Sequence, residues 1–240
     1  MRYLLFFMLL VAVFVIGKRS CHFDGFSYGV KGSGPTRTET RDVNGFHAVE
    51  LDLAGEVELR VGDYHVDVQA QENILPLLKT TVENGALRIY FSESVSHTEN
   101  IKVVITAPAF DAISLGGSGD INVSTPLQAD NMKVSLGGSG TIRIPQGTFN
   151  SLRCEIGGSG NIELAGKTNT GRFELSGSGE ISGKNMEFME LDADISGSGT
   201  MSANVVQVLK ADVSGSGEIN YTGNPNVQSN VSGSGAVTKM

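Results

Sequence analysis

The stretch Met132-Lys133-Val134-Ser135-Leu136-Gly137-Gly138-Ser139-Gly140-Thr141-Ile142-Arg143-Ile144 decides the fold. Large apolar residues take every second position, Met132, Val134 and Leu136 before the glycines and Ile142 and Ile144 after them. Lys133, Ser135, Thr141 and Arg143 take the other parity. That alternation is strand periodicity, and it keeps its phase through Gly138 and Gly140. Two short strands can therefore meet at a corner with their apolar side chains facing one interior. Glycine suits such a corner where the bend demands positive φ or a close approach of backbone to backbone.

Outward from this copy, Gly-Ser-Gly recurs around Ser118, Ser139, Ser159, Ser178, Ser198, Ser216 and Ser234, at steps of 21, 20, 19, 20, 18 and 18 residues. The flanking alternation repeats in Leu152 to Leu164, Phe173 to Ile181, Leu191 to Met201 and Leu209 to Tyr221. A fixed period near twenty residues marks a solenoid, whose unit cannot bury its apolar face without its neighbours. We expect the seven serines to form a ladder along one edge, as corner residues that share hydrogen bonds. A third face carries the residues between segments, with Leu127, Phe149 and Val206 as expected core members. The competing construction is a hairpin meander closed into a sandwich or barrel. It favours Asn-Gly or Asp-Gly turns and has no need of near-identical corners at constant spacing.

Before the regular copies the pattern loosens. Leu51, Leu53, Gly55, Val57 and Leu59 keep the parity with Ala54 in place of the serine, and Tyr64, Val66 and Val68 continue it, so these residues read as degenerate early rungs. Asn84-Gly85 between Val82 and Leu87 is a hairpin signal. An exposed solenoid end needs a cap, and this segment with Ile74, Leu75, Leu77 and Leu78 provides a candidate. The expected division is a leader or anchor over 1–20, a flexible tether over 21–41 with Gly32-Ser33-Gly34-Pro35, and one β domain over 42–240. Within the last, 42–110 forms irregular rungs and the cap, and 111–240 the regular repeats.

Arg2 followed by the apolar run Leu4 to Ile16 and the small Gly17 reads as a secretory signal. Thirteen apolar residues span only about 20 Å as a helix, against roughly 30 Å of hydrocarbon. Lys18 and Arg19 keep a retained membrane anchor open as the alternative. Cys21, preceded by Ser20, occupies the place of the lipidated cysteine of a bacterial lipoprotein, although Lys18 and Arg19 replace the aliphatic and small residues expected there. Cys154 shares the parity of Leu152 and Ile156 and reads as a small inward hydrophobe. A net charge of -8, from 26 acidic and 18 basic residues, argues against nucleic acid as a partner, which calls for clustered Lys and Arg.

Three runs bear on family. Val43-Asn44-Gly45-Phe46-His47-Ala48-Val49, Glu83-Asn84-Gly85-Ala86-Leu87-Arg88-Ile89, and Gly117-Ser118-Gly119-Asp120-Ile121-Asn122 resemble the head GIN adhesin family (DUF2807) common in Bacteroidetes. The Gly-x-Ile-Asn element returns at Gly217 to Asn220 and as Gly160-Asn161-Ile162-Glu163, while Thr200-Met201-Ser202 and Ala236-Val237-Thr238 depart from it. The resemblance covers about residues 42–240. It implies an all-β, single-domain, right-handed parallel β-helix with rungs of 18–21 residues, exported and associated with adhesion, and it brings no catalytic residues.

His22, His47, His65 and His97 are scattered outside the regular repeats at no metal-ligand spacing. The corner serines lack the Gly-x-Ser-x-Gly context of a nucleophile, which would not be needed seven times. The calcium nonapeptide pattern fails on period and on the residues equivalent to Asp120, namely Thr141, Asn161, Glu180, Thr200, Glu218 and Ala236. Asp192, Asp194 and Asp212 are expected to neighbour one another across rungs as solvated charges. No cofactor or metal is expected. The sequence therefore reads as a non-enzymatic exported envelope protein at the periplasm, outer membrane or cell surface, presenting a flat polar surface to a glycan or protein. One alternative is a self-assembling structural module, a homo-oligomer joined through an open terminal rung. Another is a polysaccharide-acting β-helix enzyme, which requires acids converging on one cleft.

Overall fold

The computed structural model describes residues 29–99 and 101–240; the predicted leader and Cys21 lie outside the described residues. The N-terminal strands are β1 (Val30–Lys31), β2 (Thr36–Arg41), β3 (Ala48–Asp52), β4 (Glu56–Val61), β5 (His65–Gln71), β6 (Leu78–Glu83), β7 (Ala86–Phe91), β8 (Val95–His97) and β9 (Lys102–Ala107). The regular part contains β10 (Ala112–Leu115), β11 (Asp120–Val123), β12 (Leu127–Leu136), β13 (Thr141–Ile156), β14 (Asn161–Leu175), β15 (Glu180–Gly197), β16 (Thr200–Gly215), β17 (Glu218–Thr222), β18 (Asn226–Gly233) and β19 (Ala236–Lys239). No helix occurs among the described residues.

From β10 onward every pairing is parallel, and each register advances by one repeat. Apolar side chains therefore stack in columns. Ile113, Val134, Cys154, Phe173, Ala193 and Ala211 form one column, and Ile121, Ile142, Ile162, Ile181, Met201 and Ile219 another. All are buried. Burial of a Val, Leu, Ile or Phe contributes about 1.5–3 kcal/mol, so the columns are the main source of cohesion. Phe173 meets Phe188 edge to face at 5.2 Å, and the latter ring fills space that Gly171 leaves empty: a Cβ there would fall 2.6 Å from Phe188.

The chain is a β-solenoid whose variable repeat length is absorbed on the third side. Irregular register occurs between Ile144 and Gly147, Glu163 and Ala165, and Gly183 and Glu187. Leu127 and Phe149 are buried there as expected, but Val206 is 40% exposed. After the shift Phe188 pairs with Val205, which takes the inward place. Parity counted from the preceding rung cannot see that shift.

At the N-terminal end β3 and β4 stack in parallel on β10 and β11, pairing Val49 with Ile113 and Leu59 with Val123, so 48–61 is an early rung. Its other edge is covered by β7 and β9, also parallel. The chain thus lays down one rung, passes below it, and returns above it. Val66 and Val68 do not continue the rung as expected. They are buried in β5, which runs antiparallel to β9, and Tyr64 is 40% exposed beside the reversal. The cap is completed by the hairpin of β6 and β7, with φ of 51° at Asn84 and 78° at Gly85, and by buried Ile74, Leu75 and Leu78.

The tether expected over 21–41 is corrected in its described part. β1 pairs with β8, and β2 pairs antiparallel with β5. Arg37 reaches Glu72 at 3.2 Å, the Thr40 hydroxyl donates to Asp67 at 2.7 Å, and Arg41 Nη2 donates to the Leu75 carbonyl at 3.1 Å. Thr-Arg-Thr-Glu-Thr-Arg carries no apolar residue, so its strand nature rests on main-chain pairing at an edge.

From Ser159 onward, main-chain hydrogen bonds between rungs continue through the corners. The amides of Ser159, Ser178 and Ser198 donate to the carbonyls of Gly138, Gly158 and Gly177 one rung below, at 3.2, 3.2 and 3.0 Å. Those of Asn161, Glu180 and Thr200 donate to Gly140, Gly160 and Gly179 at 2.9, 3.1 and 3.1 Å. A Cβ at Gly138 or Gly140 would penetrate the carbonyl oxygen of Gly117 or Gly119. Close approach makes these two positions glycine, since neither has positive φ. Gly140→Ala is therefore expected to cost about 3 kcal/mol or more in denaturant unfolding, and Ser139→Ala, at an exposed site, less than about 0.5 kcal/mol. Equal effects at both positions would contradict this geometry.

Candidate binding surface

Stacking that aligns inward side chains also aligns outward ones. Asn122, Arg143, Glu163 and Ser182 are consecutive register partners on β11, β13, β14 and β15. They floor a groove of about 470 Å³. Asn161 and Glu180 bound it on the corner side, and Pro145, Ala165, Lys184 and Asn185 on the side where the chain turns to the third face. Arg143 Nε lies 3.2 Å from Glu163, with both side chains about half exposed at 45% and 50%. The groove is open and carries charges of both signs with amide and hydroxyl groups. Such a lining can hydrogen-bond an extended polar ligand. Within it the Glu163 carboxylate is engaged by Arg143.

The adjoining face, before each corner, carries a ladder of charges in two columns. One runs Lys133, Arg153, Arg172, Asp192, Lys210, and the other Ser135, Glu155, Glu174, Asp194, Asp212. Arg153 bridges Glu155 and Glu174, the latter at 2.8 Å. Lys133 reaches Glu155 at 3.1 Å, and Arg172 contacts Glu174, Asp192 and Asp194 at 2.6, 3.3 and 3.4 Å. Burial alone would raise the Glu155 carboxyl, but hydrogen bonds from Arg153 and Lys133 outweigh it and hold the group below its ordinary value. Where Asp192 replaces a cation the balance reverses. Burial first, then the Asp192 charge, push the Asp194 carboxyl up.

The residues singled out by sequence are dispersed. Ser118, Ser139, Ser159, Ser178, Ser198, Ser216 and Ser234 are all exposed at successive corners, where their amides, from Ser159 onward, bind the rung below. Asp194 and Asp212 are register partners, and Arg172 joins Asp192 to Asp194. Cys154 is buried, which pushes its thiol pKa up. His47 pairs with Asp111 at 2.8 Å and His65 with Asp67 at 2.9 Å. Among the described residues no group of three or more His, Cys, Asp or Glu side chains is placed to hold a metal ion. The sequence reading missed the groove. Its floor was available by adding the repeat lengths 21, 20 and 19 to Asn122.

The family model described as "Putative auto-transporter adhesin, head GIN domain" matches residues 45–225. Among solved structures, a putative adhesin from Bacteroides fragilis NCTC 9343 superposes with a TM-score of 0.84 at 24% identity, covering 88% of this chain and 100% of that one. A putative lipid binding protein from Parabacteroides distasonis ATCC 8503 gives 0.76 at 25% identity, over 88% and 99% of the two chains. A putative adhesin from Parabacteroides merdae ATCC 43184 gives 0.71 at 23%, over 89% and 99%. No curated protein matches the chain.

The acidic end of the ladder offers a check on the column geometry. A carboxyl whose folded pKa lies above its unfolded value favours the folded state when protonated, so its ionisation at neutral pH opposes folding and the penalty fades as pH falls. Asp194→Asn is expected to raise the thermal midpoint at pH 7, with the difference vanishing near pH ~3. A lower midpoint at pH 7 would show that the pairing with Arg172 dominates instead.

Proposed function

We propose that this chain, which belongs to the head GIN domain family of auto-transporter adhesins, is a non-enzymatic exported envelope protein that binds an extended glycan or protein along its outward columns. The observation that carries the reading is the groove over Asn122, Arg143, Glu163 and Ser182, a polar trough assembled from four successive rungs. Repeated polar columns suit a ligand that is itself repetitive, with many weak contacts summing to a useful affinity. The apolar run Leu4 to Ile16 supports export. Tethering at the envelope falls to that run or to lipid on Cys21.

Lipid carriage, suggested by the name of one structural neighbour, finds less support. The space between the faces is filled by the stacked columns of buried side chains, so an acyl chain would have to lie on the polar exterior. The enzymatic alternative finds less support, since the groove's carboxyls, Glu163 and Glu180, lie on an open surface and Glu163 is paired with Arg143.

Surface-immobilised polysaccharides and matrix proteins presented to the purified chain provide the test. Binding is expected in the micromolar range or weaker, and Arg143→Ala with Lys184→Ala should weaken it about ten-fold, the loss of roughly one charged hydrogen bond, without moving the thermal midpoint. Unchanged binding by the double variant would displace the ligand from the groove. Depolymerised glycan in the same assay would replace the adhesin reading by an enzymatic one.

A further inference from the structure

The two ends of the solenoid are finished differently. At the N-terminal end, parallel β7 and β9 are followed by antiparallel β6, β5 and β2. The last of these, β2, carries Arg37, Glu39 and Arg41, and β6 carries Lys79 and Glu83. Charges on an edge strand oppose pairing with another chain. At the other end β18 pairs with β16 and β19 with β17, which leaves the outer edges of both without a strand partner among the described residues.

That edge lacks the usual protection. From Asn226 to Thr238 there is no charged residue and no proline, whereas the rung beneath carries Lys210, Asp212 and Glu218. The charged columns end one rung short: Lys210 is succeeded by Gln228, and Asp212 by Asn230. The first charge after this span, Lys239, is turned to Asn224 at 2.6 Å. The inward positions are apolar but uncovered. Val231 is 41% exposed, against 2% for Val213 below it, and Val227 and Val237 are only partly buried while Leu209 and Ile219 are closed off.

We propose that this edge is an interface between two copies of the chain, joined end to end about a two-fold axis, with β18 of one copy antiparallel to β18 of the other. The two-fold arrangement follows from the contrast between the ends. Head-to-tail stacking would set the neutral edge against the charged β2 strand and leave Arg37, Glu39 and Arg41 to be desolvated. Neutral edge against neutral edge meets no such opposition, extends the main-chain ladder, covers Val227, Val231 and Val237 from both sides, and closes after two copies. The groove over Arg143 and Glu163 lies rungs away from this edge, so the interface and ligand binding are separable.

Light scattering and sedimentation of the full chain provide the test, with Val231→Lys and Asn230→Lys as variants. Asn230→Lys places a cation over Asp212, its register partner, so the fold keeps or gains stability while two lysines face each other across the axis. At about 50 μM, above a micromolar Kd, the unaltered chain is expected to be a discrete dimer. Both variants should weaken association at least ten-fold, with Asn230→Lys retaining the thermal midpoint that the unaltered chain shows when diluted below its Kd. A monomer at that concentration would overturn the proposal. So would an open-ended series of oligomers, which denotes head-to-tail stacking, or variants that dimerise as the unaltered chain does, which places association elsewhere, for instance in the apolar stretch near the N-terminus.

Discussion

Main chain meets main chain at the corners, and the rest of the molecule depends on that contact. Ser and residue-after-glycine amides bind carbonyls of the rung below, at a separation that leaves no volume for a Cβ at Gly138 or Gly140. Parallel strands hold a common spacing of about 4.8 Å only if the chain keeps it while turning. Were a corner to open, the strands on either side would lose register, and with it the alignment of inward columns. Cohesion resides in those columns, at about 1.5–3 kcal/mol per large apolar side chain. The half-exposed ion pairs beside them contribute about 0–1 kcal/mol each, so the charge ladder shapes the surface more than it holds the fold.

The same constraint governs the surface. Because the rungs are stacked in register on the two faces that meet at the corners, an outward residue there is repeated in position, though not in kind, from rung to rung. Compensation between columns is then local. Arg153 and Arg172 neutralise the carboxylates beside and above them, and the balance fails where Asp192 enters the cationic column, which is where burial and like charge raise Asp194. The groove has the same origin: polar residues of one column, flanked by the corner on one side and the turn to the third face on the other, make a trough that no single rung contains.

Much of this was legible in the sequence because the repeat has two independent signals, the two-residue parity and the roughly twenty-residue period. Ile142, Ile162 and Ile181 fall in one column by parity and period alone. Legibility failed where one signal was missing. Val206 was misplaced because the third side absorbs changes in repeat length, and parity does not survive a register shift. Thr36–Arg41 was read as tether because an edge strand held by main-chain pairing and polar contacts needs no apolar residues. Val66 and Val68 had the right parity for a rung, yet parity does not state direction, and the chain reverses at Gly62-Asp63. The groove went unseen because its members lie some twenty residues apart and differ in chemistry, so it exists only once the rungs are superimposed.

Native-state amide hydrogen exchange tests the corner account most directly. The amides of Ser159, Ser178 and Ser198, and of Asn161, Glu180 and Thr200, belong to residues with water-facing side chains, yet all are bonded across rungs. They should exchange as slowly as the amides of the buried strands on either side, opening only with the unfolding of neighbouring rungs. Exchange at the rate of ordinary exposed turns, with the flanking strands still protected, would show that the corners are passive linkers and that the strands alone set the stacking.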